Sequence, residues 1–103
     1  MTKKRLLPDD RKLEILNAAM KVAGRPGGWA KLTRDAVAKE AGCAEGLVSK
    51  YFGTMITFRR SIMRAAIVAE NLAVVAQGLA AGDASAKKAD ESLKRKALET
   101  LAG

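Results

Sequence analysis

The chain has 103 residues, enough for one small domain with a modest core. Lysine and arginine outnumber aspartate and glutamate by 19 to 11, which gives a net charge of +8 at pH 7. With no histidine and one cysteine, the chain excludes an internal disulfide and offers neither a plausible zinc site nor a histidine-assisted nucleophile.

The positive charge is concentrated in the first two thirds of the chain. Residues 1–64 hold 14 basic and 6 acidic residues, whereas residues 65–103 hold 5 of each. A cationic part joined to a neutral, alanine-rich part indicates that one part faces a polyanion while the other packs against protein. A surface that is merely solubilising is the alternative.

Two stretches bear on cellular location. The N-terminal "MTKKRLLPDD" is basic, but acidic residues follow where a signal peptide needs an apolar run, so we expect no signal peptide. The most apolar stretch, "IMRAAIVAENLAVVA", is interrupted by Arg64, Glu70 and Asn71 and falls short of a membrane span. We therefore expect a cytoplasmic protein with no membrane partner.

Apolar residues recur with a helical period throughout, which predicts an all-α fold of five helices. The first helix begins near Pro8, because the acidic residues after this proline favour the positive end of a helix dipole. Gly24 is a natural stop. The expected core face consists of Leu13, Leu16, Ala19, Met20 and Ala23. The breaker cluster "GRPGGW" follows, and Trp29 is expected to fold back onto the first helix.

The next two helices are short. A second helix is expected from Thr33, whose hydroxyl can cap it, to Gly42, and a third over residues 44–51. Gly42 suits a turn between two helices that cross steeply, since glycine adopts the left-handed conformation without a Cβ clash. A helix-turn-helix has this arrangement, and its second helix lies in the DNA major groove. An ordinary helical hairpin is the alternative.

The C-terminal part is expected to hold one long and one short helix. The long fourth helix runs over residues 55–77 with Thr54 as its cap, and "GLAAGDAS" forms a flexible joint. The fifth helix begins at Asp83 or Ser85. Its predicted apolar face consists of Ala86, Ala89, Leu93, Ala97 and Leu101. We therefore divide the chain into a DNA-binding region, residues 1–54, and a helical dimerisation region, residues 55–103.

The stretch "GGWAKLTRDAVAKEAGCAEGLVSKYFGT" resembles the DNA-binding segment of the TetR family of bacterial repressors. The resemblance covers about residues 13–67 and rests on the pairs Gly28-Trp29 and Tyr51-Phe52, on Thr33, and on the turn of Ala38 with Gly42. It implies a three-helix, homeodomain-like domain. Two departures stand out: Met55 occupies the region of a family lysine that grips phosphate, and residues 65–103 are too few for the family's effector domain. Arg59 or Arg60 is a candidate replacement for the lysine, and no small-molecule effector is expected.

The resemblance and the side-chain chemistry together predict the residues that contact double-stranded DNA. Thr33 and Arg34, at the start of the second helix, are expected to bind phosphate, with a guanine edge as an alternative for Arg34. On the recognition helix, Lys50 suits guanine O6 and N7, whereas Ser49 or Tyr51 suits phosphate. The remaining outward positions are Ala44, Glu45 and Gly46, and the basic arm adds Lys3, Lys4 and Arg5. Gly46 would let the backbone approach the DNA closely.

A dimer is expected because one recognition helix reads only a few base pairs. The stretch "AAIVAENLAVVAQGLAA" is apolar around nearly its whole circumference, so we expect the fourth and fifth helices to pack against a second copy. The predicted interface residues are Ile67, Val68, Leu72, Val75, Leu79, Leu93 and Leu101. In the alternative, the fifth helix alone covers the fourth.

These features predict a sequence-specific transcriptional regulator, a dimeric repressor of bacterial, phage or plasmid origin associated with the nucleoid. No acid, base and nucleophile come together, so we expect no enzyme, cofactor or metal. One alternative is a DNA-binding assembly adaptor of the packaging or partition type. The other is a protein–protein inhibitor that docks its basic face on an acidic enzyme.

Overall fold

The computed structural model describes residues 8–102, and every regular element in that range is an α-helix. In chain order the helices are α1 (Pro8–Ala23), α2 (Arg34–Ala41), α3 (Glu45–Phe52), α4 (Met55–Val68), α5 (Leu72–Ala80), α6 (Ala84–Lys87) and α7 (Glu91–Ala102). The all-α prediction is confirmed. The arm residues Lys3, Lys4 and Arg5 lie outside the described range. None of the described helices is long and apolar enough to cross a bilayer.

The core is one continuous cluster to which the helices of both halves contribute. Phe58 and Ile62 of α4 are fully buried, as is Ile15 of α1. The predicted core face of α1 is wrong at one position, since Leu13 is 55% exposed while Ile15 is enclosed. Apolar residues occur on more than one side of α1, and packing against α2 and α4 decides which of them are buried.

The prediction of one long fourth helix over residues 55–77 is wrong, because α4 ends at Val68 and α5 begins at Leu72. Glu70 adopts a left-handed conformation with φ 54°, and the Asn71 amide donates to the Ala66 carbonyl at 2.8 Å. This backbone pattern ends α4 as a Schellman motif. The Asn71 side chain then accepts from the Val74 amide at 3.3 Å and so starts α5. The break was missed because a glutamate stands where such motifs usually have glycine.

The predicted fifth helix is also two helices, α6 and α7. Gly82 takes a left-handed φ of 78°, and Asp83 caps the short α6 by accepting from the Ala86 amide at 2.9 Å. Asp90, which directly precedes α7, accepts from the Ser92 amide at 3.1 Å and so caps the start of that helix. The caps at Asp83 and Asp90 are only seven residues apart, so the segment cannot continue as one straight helix.

Most of the apolar side chains of residues 65–80 are covered by other helices of the same chain. The break at residues 69–71 lets α4 and α5 bury different faces, and α7 packs along α5. Val75 is fully buried and Leu93 is 8% exposed, so neither is available to a second copy. The dimer stays a prediction, and Val68 and Leu101 are predicted interface residues that remain exposed for it.

Candidate nucleic-acid interface

The corner between α2 and α3 is built from two caps and one glycine. Thr33 caps α2 by accepting from the Ala36 amide at 3.1 Å. At the other end, Gly42 adopts φ 72° and ψ 35°, and the Cys43 amide donates to the Ala38 carbonyl at 3.0 Å. These hydrogen bonds end α2, and α3 begins after only three intervening residues. The predicted bounds of both helices are confirmed to within one residue.

The inner face of α3 anchors it to the core. Val48 is fully buried and Phe52 is 8% exposed. The Phe52 ring lies 4.9 Å, centroid to centroid, from the Phe58 ring of α4. Such aromatic contacts fix a helix because each ring contributes a large buried area and a preferred geometry. Val48 and Phe52 are therefore the residues through which α3 packs on the core.

The outer face of α3 and its cap carry the residues predicted to reach into a groove. Those that are exposed are Ala44, Glu45, Gly46, Ser49 and Lys50, and Tyr51 is half-buried. Within the part of the chain that the structure describes, neither Glu45 nor Lys50 belongs to an ion pair. The exposed side chains on this outer face are therefore free to meet a ligand.

Arg34 connects the start of α2 to the end of α3. Its Nη2 donates to the Gly53 carbonyl at 3.2 Å, and its Nε is buried without a partner among the described residues. The side chain is half-buried, whereas Thr33 beside it is exposed. Arg34 thus holds the α3–α4 corner in addition to any contact with a ligand.

The cations of α2 and its surroundings are largely neutralised by neighbours. Glu40 accepts from Arg25 at 2.7 Å and lies 3.8 Å from Lys21, and Lys39 lies 3.3 Å from Asp35. Exposed pairs of this kind are worth little energy, but they reduce the local positive field. Lys50 and Arg34, by contrast, belong to no ion pair among the described residues.

Arg59 points inward, which contradicts its candidacy as a phosphate contact. Its Nη1 donates to the Trp29 carbonyl at 2.7 Å, and its guanidinium lies over the Trp29 ring. Arg60, the other candidate, is exposed. Trp29 itself belongs to the core, since the residue is 4% exposed.

Gln77 of α5 is a residue that sequence reasoning missed. Its Oε1 accepts from the Trp29 amide at 2.9 Å, and its Nε2 donates to the Arg25 carbonyl at 2.7 Å. The two bonds join the α1–α2 loop to the C-terminal half. The partners are 48 and 52 residues away in sequence, so no local pattern could reveal them.

Comparison with known proteins found no matching family model, no matching curated protein and no matching solved structure.

Proposed function

We propose that this chain is a sequence-specific DNA-binding regulator in which α2 and α3 form a helix-turn-helix of the TetR type. The observation that carries the proposal is the two-sided character of α3. Val48 and Phe52 fix its inner face, while Ser49 and Lys50 stand exposed on its outer face. The left-handed Gly42 supplies the corner that lets such a helix project.

The dimensions of α3 suit the major groove of B-form DNA. An α-helix with its side chains is about 10–12 Å in diameter, and the groove is about 12 Å wide. The Lys50 ammonium would donate to guanine O6 and N7, and the Ser49 hydroxyl to a phosphate. Gly46 has nothing within 4 Å of the place a Cβ would occupy, so the backbone there can approach the DNA.

Phosphate contacts would set the orientation of the helix. Thr33 is exposed at the start of α2, where backbone N–H groups and the helix dipole favour an anion. Arg34 follows it and would turn one face of its guanidinium toward the same strand while holding Gly53. Repression then follows from occupying a promoter and excluding polymerase.

A symmetric dimer on a palindromic site completes the proposal, with recognition helices about 34 Å apart. Of the predicted interface residues, Val68 is 85% exposed and Leu101 is 53% exposed. Ile67, Leu72 and Leu79 are half-buried. Analytical sedimentation tests whether the chain is a dimer. We expect Val68→Lys to shift the dimer toward monomer. A wild-type chain that sediments as a monomer and still binds DNA would contradict the proposed dimer.

Selection of binding sites from random DNA, at a stated salt concentration, tests the function itself. We expect a short consensus with two-fold symmetry. Lys50→Ala should lose about 1–3 kcal/mol of discrimination at one base position, since a good base contact is worth that much. Lys96→Ala is the matched control, because Lys96 is an exposed lysine on α7.

Two outcomes would contradict the proposal. An extended protected tract without a repeated consensus would favour the assembly adaptor, which coats DNA instead of reading a site. Loss of biological function in Lys50→Ala with DNA binding unchanged would favour the protein–protein inhibitor.

A further inference from the structure

A second cationic feature is a groove lined by α4, by α6 and by the segment that follows α6. Arg60 and Arg64 stand one helical turn apart on α4, and Lys88 directly follows α6. Ser85 adds a hydroxyl. The groove has a volume of about 530 Å³, and Ile67, Ala84 and Ala89 supply its apolar wall.

The three cations of this groove are not neutralised by the chain. None of the ion pairs among the described residues involves Arg60, Arg64 or Lys88. The one carboxylate that lines the groove, Asp90, accepts from the Ser92 amide at 3.1 Å and so serves as a helix cap. Three positive charges therefore share a concave space with a single negative charge.

Small buried residues hold α6 and the segment after it against α4. Ala86 is fully buried and Ala89 is 8% exposed, which brings the short helix close to its neighbours. Asp83 fixes the start of α6 through the Ala86 amide. The backbone that carries Lys88 is thus positioned by packing and capping, so the convergence of charge does not depend on a flexible loop.

We propose that this groove binds a small phosphate-bearing anion, such as the di- or triphosphate group of a nucleotide. Guanidinium groups match phosphate oxygens with paired donors, and an ammonium and a hydroxyl add single ones. The volume lies within the range of small-molecule sites. A DNA duplex presents phosphates on a convex surface, whereas these cations surround a concavity. None of the residues that line the groove belongs to α2 or α3, which carry the DNA contacts proposed above.

Calorimetric titration of the full chain with pyrophosphate and with ATP, at constant ionic strength, tests the proposal. We expect saturable binding of one anion per chain. Arg64→Gln should weaken it by about tenfold or more, as for the loss of one hydrogen bond to a charged group. Lys88→Gln should do the same from a different element, and Arg95→Gln, which removes an exposed arginine on α7, should leave the affinity unchanged.

The probes also distinguish the sources of the anion. Equal affinity for pyrophosphate and ATP would show that the phosphates alone are recognised, and tighter binding of ATP would show that the wall around Ile67 receives the nucleoside. Circular dichroism verifies that each variant is folded. The proposal is overturned if sulfate binds as tightly as pyrophosphate, if Arg95→Gln weakens binding as much as Arg64→Gln, or if neither probe binds. It is also overturned if Arg64→Gln weakens only the binding of a DNA duplex.

Discussion

The guanidinium carbon of Arg59 lies 4.9 Å from the centroid of the Trp29 ring, and Nη1 of the same side chain donates to the Trp29 carbonyl at 2.7 Å. Nη2 reaches the Leu32 carbonyl at 3.5 Å. One side chain of α4 thereby holds both ends of the segment that leads into α2. The position of α2, and with it that of α3, depends on a helix that follows them in sequence.

Replacing Arg59 should destabilise the whole domain. Arg59→Ala removes two hydrogen bonds from a charged group, one of them long, and a cation–π contact, so we expect a loss of about 2 kcal/mol in the free energy of unfolding. Urea denaturation measures it, with the fluorescence of the single tryptophan as the probe. Arg60→Ala is the control and should change stability by about 0.5 kcal/mol or less, because Arg60 is exposed. Equal effects of the two variants would contradict this role.

Two variants of Gln77 should separate its two hydrogen bonds. Gln77→Ala removes both and should cost about 1–3 kcal/mol, chiefly because it leaves the part-buried Trp29 amide without a partner. Gln77→Glu keeps an acceptor for the Trp29 amide but loses the donor to the Arg25 carbonyl. Hydrogen exchange of the Trp29 amide should therefore accelerate in the alanine variant and stay slow in the glutamate variant. A protected amide in Gln77→Ala would rule out the contact.

Gly46→Ala should raise stability while it weakens DNA binding. The position is helical with open space around it, so alanine should gain about 0.5–1 kcal/mol through its better helix propensity. The added methyl would hold the backbone away from the duplex. Thermal unfolding and DNA affinity are measured together. If affinity is unchanged, the close approach at Gly46 is wrong.

The control for this experiment is Gly42→Ala, which should act in the opposite direction on stability. A left-handed backbone costs a residue with a Cβ roughly 1–2 kcal/mol, even though nothing lies within 4 Å of the added atom.

Glu70→Gly should stabilise the protein by about 1 kcal/mol. Glu70 is held at φ 54°, and glycine relieves that strain at some cost in unfolded-chain entropy. For a domain of this size, the melting temperature should rise by roughly 4–8 °C. Ala69→Gly, in an ordinary right-handed conformation, should lower it instead. A melting temperature that falls in Glu70→Gly would mean that the glutamate side chain contributes something beyond its backbone.

The parts of the fold that could be predicted are those fixed by hydrogen bonds between residues close together in the sequence. Thr33 and Gly42 cap and end α2 through bonds to residues within five positions, so the corner and the exposed face after it follow from a short stretch. The break at Glu70 could not be predicted, because it uses a residue that ordinarily continues a helix. The inward turn of Arg59 depends on carbonyl groups 27 and 30 residues away. Local propensity carries no information about such partners.

The hydrogen bonds of Gln77 to the Arg25–Trp29 loop limit where the chain can be divided in protein engineering. Residues 1–54 fused to another protein would lose Gln77. The side-chain amide of Gln77 donates to the Arg25 carbonyl, and its oxygen accepts from the Trp29 amide. The fusion would also lose Phe58, the aromatic neighbour of Phe52. A transplanted N-terminal part therefore has to carry α4 and α5 along with it if these contacts are to be kept.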